Sequence, residues 1–307
     1  MSIDTFESCQ VCDNPGYSIF GRKTGYDRTV TYTFKKCGRC GFMWVDPFPG
    51  YGVYDDKYYR GEGPDPYVDY ASEYETGRHG ARLPEFKNLW ELTYNCILKI
   101  SRNDKNLKIL DYGSGAGGFM DSARSKWPNE WLTDAQLEIQ GFDTGSYASR
   151  PANEKKFHIL TESELNSLSG FYNVITCIEA IKHVREINLT MQNLSRLLKP
   201  GGLLILTTGN MRSLAARIAG MNHRYLIPDI DISLFNPACL AMLYWKHGLT
   251  PARFKHNGIL EYNILKSIRN PRLSEIAAAA LPVPGFKRFV DMLYGVSAMP
   301  CAVKPQA

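Results

Sequence analysis

The sequence predicts an α/β protein, a mostly parallel sheet covered by helices, with a small cysteine-bearing module ahead of it. Three observations carry this. From residue 107 onward short apolar runs alternate with stretches of helical spacing, the pattern of strand–helix–strand units. The first run passes directly into a glycine-rich turn, Gly113-Ser114-Gly115-Ala116-Gly117-Gly118, and then a helix. Two Cys-x-x-Cys pairs, Cys9/Cys12 and Cys37/Cys40, stand near the start of the chain with 24 residues between them.

Within the first unit, residues 30–34 alternate like a strand and residues 42–45 look like another, with Pro47, Pro49 and Gly50 closing it. Residues 84–100 have helical spacing, with Phe86, Leu89, Trp90, Thr93 and Ile97 on one side. Strands are expected at 107–112, 137–142, weakly at 157–160, at 174–177 and at 203–208, with a sixth at 252–256. Helices are expected at 119–126 and 186–198, and from the cap-plus-proline start Asn236-Pro237 to Gly248. Residues 199–202 read as a turn. The expected organisation is therefore a module over 1–50, a connector and helix over 51–105, and the main domain over 106–307 with an insertion at 210–235 that helps form its site.

Composition excludes more than it selects. The chain has 307 residues, 44% of them hydrophobic, enough for a sizeable core. No run approaches the roughly 18 apolar residues of a membrane span, and the first residues lack a basic segment followed by an apolar one. A cytoplasmic location is expected. The net charge is +5, with eight Lys/Arg against three Asp/Glu over residues 250–307. That basic end could favour a phosphorylated substrate or simply be a solvated face. No basic stripe with interleaved aromatics marks a nucleic-acid partner.

The cysteine quartet matches a tetrahedral zinc site, because each tight Cys-x-x-Cys turn aims two thiolates at one ion. Two disulfides or a redox dithiol are the alternatives; the first suits a cytosolic chain poorly and the second needs only one pair. Four protein ligands leave no open position, so the ion would be structural. Cys96, Cys177, Cys239 and Cys301 lie in apolar surroundings and read as buried small hydrophobes.

At the glycine turn the backbone can approach a ligand closely, and the helix start offers free N–H groups. The letters also fit Gly-x-Gly-x-x-Gly through Gly113, Gly115 and Gly118, which admits an NAD(P)-dependent oxidoreductase. Asp111, at the strand end, is awkward beside a pyrophosphate but suits a ligand carrying an ammonium group; its bland reading is a loop cap. Asp143, ending the second strand, can accept hydrogen bonds from both hydroxyls of a ribose.

Residues 110–117, Leu-Asp-Tyr-Gly-Ser-Gly-Ala-Gly, resemble the first motif of class I S-adenosylmethionine-dependent methyltransferases. Gly-Phe-Asp-Thr-Gly-Ser at 141–146, the stretch 171–184 and Leu-Leu-Lys-Pro-Gly-Gly at 197–202 resemble the later motifs in the expected order. Cys-Gly-Arg-Cys-Gly-Phe-Met-Trp-Val-Asp-Pro at 37–47 is similar to zinc-ribbon methyltransferases that tailor sugars, surface polysaccharides and natural products. The resemblance implies a Rossmann-like seven-stranded sheet with its last strand antiparallel, for which 297–304 is the candidate. It implies that Asp111, Tyr112, Gly113, Ser114, Gly115 and Gly117 hold the methionine end of S-adenosylmethionine. Asp143 and Thr144 would hold the ribose, and Cys177 and Ile178 would border the cofactor. The acceptor implied is a small molecule, a sugar hydroxyl or amine in carbohydrate or natural-product biosynthesis. Family members that methylate sugar carbon carry Tyr-x-Glu-His where this chain, aligned on Phe235, has Pro228, Ile230 and Asp231, which argues against C-methylation.

A hydroxyl or ammonium acceptor must lose a proton, and a nearby base is worth about two to four orders of magnitude. His183, just past the fourth strand of the main domain, is the first candidate, against a reading as a backbone-bonded helix-start residue. Asp231, in the insertion, is the second, against a surface loop carboxylate. Glu179 reads as a turn cap. Tyr51, Tyr54, Tyr58, Tyr59, Tyr67, Tyr70 and Tyr74 either close over the site or pack the zinc module onto the main domain. A non-catalytic zinc-ribbon binding protein is the remaining alternative, and the intact glycine turn with Asp143 argues against it. The helical stretch 273–293 reads as a cap or a dimer surface, which leaves the oligomeric state open.

Overall fold

A computed structural model describes residues 6–55, 57–65, 83–100, 105–126, 136–145, 156–252 and 301–305. The N-terminal unit is a sheet: β1 (Tyr17–Thr24), β2 (Thr31–Cys37) and β3 (Met43–Asp46) pair antiparallel in sequence order. Alternation in β2 buries Tyr32 and Phe34, which pack with Met43 and Val45. β1 was not legible, since its exposed Tyr17 and Ile19 break the alternation of a one-sided strand.

The main domain follows with α1 (Leu83–Ile100), β4 (Asn106–Tyr112), α2 (Gly118–Ser125), β5 (Gln136–Phe142), β6 (His158–Ile159), α3 (Glu162–Ser167), β7 (Tyr172–Ile178), α4 (Ile187–Leu197) and β8 (Leu198–Thr207). Next come α5 (Leu214–Ala219), β9 (Ser233–Leu234), α6 (Pro237–Lys246), β10 (Thr250–Ala252) and β11 (Cys301–Val303). The seven-stranded sheet has the order β10-β11-β8-β7-β4-β5-β6. Its pairings are parallel from β6 through β8, and β11 runs antiparallel to both β8 and β10. This is the Rossmann-like arrangement with an antiparallel last strand that the motifs implied, and β11 lies inside the expected 297–304. β7 is buried at every position, as a central strand covered on both faces must be.

Two features differ from the sequence reading. β8 begins at Leu198, so residues 199–202 are not a free turn. Tyr172 pairs with Leu198 and Val174 with Leu203, and the extra residues bulge from the ladder with Gly201 at φ 77°. Secondly, β9 comes from the 210–235 insertion yet joins the N-terminal sheet, pairing Met43 with Leu234 and Trp44 with Ser233. Residues 253–256, the stretch 273–293, and Tyr67, Tyr70 and Tyr74 lie outside the described residues. Among the described residues no helix is long and apolar enough to cross a membrane.

The chain leaves the centre of the large sheet at β4, builds outward to β6, and returns to β7 on the other side. Strand order therefore reverses between β4 and β7, and a ligand crevice is expected outside their carboxyl ends.

Candidate active site

The first half of the crevice is mostly backbone. Gly113, Gly115 and Gly117 have φ of 80°, 51° and 81°, the left-handed region that favours glycine. A Cβ at Gly113 would collide with the Ala180 side chain, so the loop lies directly on the turn that follows β7. Gly117 caps α2, whose first N–H groups face the loop end. Asp143, at the end of β5, fastens the loop: Gly115 N–H donates to its Oδ2 (2.9 Å) and Gly145 N–H to its Oδ1 (2.8 Å). Burial raises the Asp143 carboxyl above its ordinary value, and the two N–H donors pull the other way. Asp111 is 2% exposed and accepts the Thr176 hydroxyl at 2.8 Å. The two acids thus end adjacent, in-register strands, with Tyr112 opposite Phe142.

The remaining residues expected here play different parts. Ser114 is buried, and its Oγ has no hydrogen-bond partner among the described residues. An orphaned hydroxyl at the loop mouth is what a polar ligand end would satisfy. Thr144 is exposed. Tyr112 turns its ring onto Phe142 (5.1 Å between centroids) and into the core, where burial pushes its hydroxyl up to about 12. Cys177 and Ile178 are buried; the Cys177 thiol is pushed up to about 12 by burial and packs with Leu110 and Met191.

The second half is side-chain chemistry gathered from distant segments. Glu179, with φ 56°, turns the chain sharply after β7, its N–H held by the Thr207 carbonyl (3.0 Å) and hydroxyl (3.1 Å). A single 3-10 turn, Ile181–His183, then presents Lys182 and His183. Lys182 is 7% exposed, lies 3.1 Å from Asp231 Oδ1 and 3.5 Å from Glu179 Oε2, and its ammonium sits over the Tyr225 ring at 4.6 Å. Asp231 is 1% exposed, so it is no surface loop carboxylate. Burial lifts it to about 7 against the pull of Lys182. His183 Nδ1 lies 2.8 Å from the Ile230 carbonyl and 3.8 Å from Asp231 Oδ1. A carbonyl only accepts, so in the neutral ring Nδ1 carries the proton and Nε2 the lone pair. Sequence reasoning brought His183 and Asp231 forward and missed Lys182, which stands beside His183 and three residues after Glu179. It also left open the tyrosines, of which Tyr54 and Tyr59 reach this region.

Away from the crevice, Cys9, Cys12, Cys37 and Cys40 offer sulfurs that all lie within 4.8 Å of one another. Cys9 to Cys40 and Cys12 to Cys37 are 3.6 Å apart, far beyond a disulfide bond of about 2.05 Å. Ligands about 2.3 Å from a tetrahedral zinc would sit about 3.8 Å apart, so the quartet fits the ion. The crowded thiols split: Cys9 is drawn down to about 5 by its hydrogen bond to Cys40, and Cys40 is driven up in return.

The family described as a methyltransferase domain matches residues 90–252, more than half of the chain. The chain is 27% identical over 202 residues to a ubiquinone biosynthesis O-methyltransferase of Pectobacterium atrosepticum, covering 59% of this chain and 78% of that one. It is 31% identical over 123 residues to the enzyme of that name from Rickettsia conorii, covering 40% and 42%. Among solved structures, phosphoethanolamine N-methyltransferase 2 of Haemonchus contortus with bound S-adenosyl-L-methionine is 17% identical, covering 86% of this chain and 63% of that one at a TM-score of 0.44. With the glycine loop, the reversal of strand order and the family match in hand, the nicotinamide alternative falls away: the chain belongs to the S-adenosylmethionine-dependent methyltransferases.

Proposed function

We propose that this protein methylates a hydroxyl oxygen of a small-molecule acceptor, with His183 as the general base. The observation that carries the reading is the His183 Nδ1 contact to the Ile230 carbonyl (2.8 Å), which leaves Nε2 as the proton-accepting nitrogen. Bound S-adenosylmethionine would supply an electrophilic methyl carbon on a sulfonium. As the methyl group passed from sulfur to the acceptor oxygen, His183 Nε2 would take the hydroxyl proton. The chain's work is to align the reactants, which is worth roughly 7–11 kcal/mol when orientation is good, and to take the proton.

In this reading Gly113, Ser114, Gly115 and Gly117 receive the methionine end of the cofactor, Asp111 lends negative potential to its ammonium, and Asp143 and Thr144 receive the ribose. Asp231 faces His183 Nδ1 and steadies the imidazolium that forms. The O-methyltransferase names of the relatives favour oxygen as acceptor atom. The sugar or amine implied by the N-terminal resemblance has no counterpart in those names. The cysteine quartet would hold one structural zinc, with all four coordination positions filled by protein.

Two measurements test this. Mass spectrometry of hydroxyl-bearing candidate acceptors, incubated with enzyme and isotopically labelled methyl donor, should show one labelled methyl on oxygen; label only on nitrogen or carbon overturns the reading. Elemental analysis of reduced, purified protein should give one zinc per chain, and its absence rejects the metal site.

A further inference from the structure

We propose that Tyr54 is a positioning residue for His183, and that the aromatic strap carrying it ties the base to the cofactor loop. This rests on the reading of His183 as the base. The Tyr54 hydroxyl donates to the Ile230 carbonyl at 3.1 Å, the same oxygen that His183 Nδ1–H engages at 2.8 Å. A carbonyl oxygen has two lone pairs, so both donors are accommodated. The Tyr54 ring also meets the His183 ring edge to face, with centroids 5.6 Å apart and planes at 71°.

The two contacts act on the imidazole in different ways. The ring contact restricts its rotation. The hydroxyl fixes the plane of the Ile230 peptide and so keeps the carbonyl aimed at Nδ1. A turned peptide or a turned ring would release the Nδ1–H tautomer, and a ring with its proton on Nε2 cannot act as the base.

The strap then runs back to the cofactor. Tyr54 stacks edge-on to Tyr58 (5.0 Å, 83°), and Tyr58 to Tyr59 (5.2 Å, 82°). Tyr58 and Tyr59 are buried against Ile230. The Tyr59 hydroxyl oxygen occupies the space a Cβ would need at Gly145, whose N–H donates to Asp143. One run of the connector therefore touches the ribose acid's loop at one end and the base at the other.

The test uses the full chain with Tyr54→Phe and Tyr54→Ala, beside His183→Ala. The readouts are steady-state kinetics, cofactor affinity by calorimetry, and the tautomer of His183 by nitrogen-15 NMR of its ring. Losing a hydrogen bond of about 1 kcal/mol should lower kcat of Tyr54→Phe roughly three- to tenfold. KM for the acceptor and cofactor affinity should stay within about twofold. Tyr54→Ala should lose more activity, and signal from the Nε2–H tautomer should appear. Unchanged kcat with a pure Nδ1–H ring in Tyr54→Phe overturns the proposal, and that variant keeps the ring packing, so it answers even if Tyr54→Ala does not fold. Full turnover in His183→Ala removes the base reading itself. An inactive His183→Ala beside fully active Tyr54 variants removes only this inference.

Discussion

The two halves of the crevice are built on opposite plans. The half proposed to hold the cofactor spans residues 111–117 and 143–145 and relies on backbone: three left-handed glycines and a loop pinned by one carboxylate. The half proposed to receive the acceptor takes Tyr54, Lys182, His183, Tyr225 and Asp231 from three separated segments, and relies on side chains arranged around the buried Lys182–Asp231 ion pair. A backbone cradle works with whatever surrounds it, whereas a constellation of side chains depends on each neighbour. Changes in one half should leave the other's function nearly intact.

The sharpest break should come at the base. His183→Ala is expected to lower kcat by about 100- to 10,000-fold, with S-adenosylmethionine affinity by calorimetry unchanged. Weakened cofactor binding would show that the halves are not separate. Next comes the buried ion pair. Lys182→Met leaves Asp231 buried without its cation and should cost about 3–5 kcal/mol of stability in urea unfolding. A second change, Asp231→Leu, should recover most of that loss.

On the other side, Asp143→Asn removes the charge that receives Gly115 and Gly145. Charge-assisted hydrogen bonds are worth about 1.5–3 kcal/mol, so cofactor dissociation constants should rise roughly 10- to 100-fold while the pH dependence of kcat stays as in the parent. A changed pH profile would place Asp143 in the proton path.

The smallest effect sharpens the contrast through pH. His223, in the insertion, is 9% exposed and held down to about 4 by burial, helped by Arg224. Below about pH 6.5 the unfolded chain takes up a proton that the folded chain refuses until about 4. Stability should therefore fall as pH drops through that window, and be intact above it. His223→Gln should make the decline between pH 7 and 5 shallower by on the order of 1–2 kcal/mol in urea midpoints. An identical decline in both proteins would put the acid sensitivity elsewhere.

Legibility followed the same division. The central strands β4 and β7 were visible within a residue or two, at 107–112 and 174–177, because each is a buried apolar run; β8 was cut short at 203 because Lys-Pro-Gly-Gly at 199–202 reads as a turn. The Thr161 capping box with Glu164 was an available signal for α3 that went unused. β9 had none: two residues pair with β3 only because the insertion folds back onto the N-terminal sheet. In the site, Asp111, the glycines and Asp143 stood in one motif each. Lys182 carried no motif of its own, and its partners Asp231 and Tyr225 lie some 45 residues away in sequence.

The sequence alone determined the α/β fold, the cofactor loop and the cysteine quartet, because glycine freedom, strand alternation and Cys-x-x-Cys spacing are local properties that short segments carry with them. Only the tertiary structure decided which nitrogen of His183 carries the proton in the neutral ring, and that Asp231 is an interior partner of Lys182. Those facts depend on burial and on a carbonyl 47 residues away, and a buried charge or a tautomer is defined by what surrounds it.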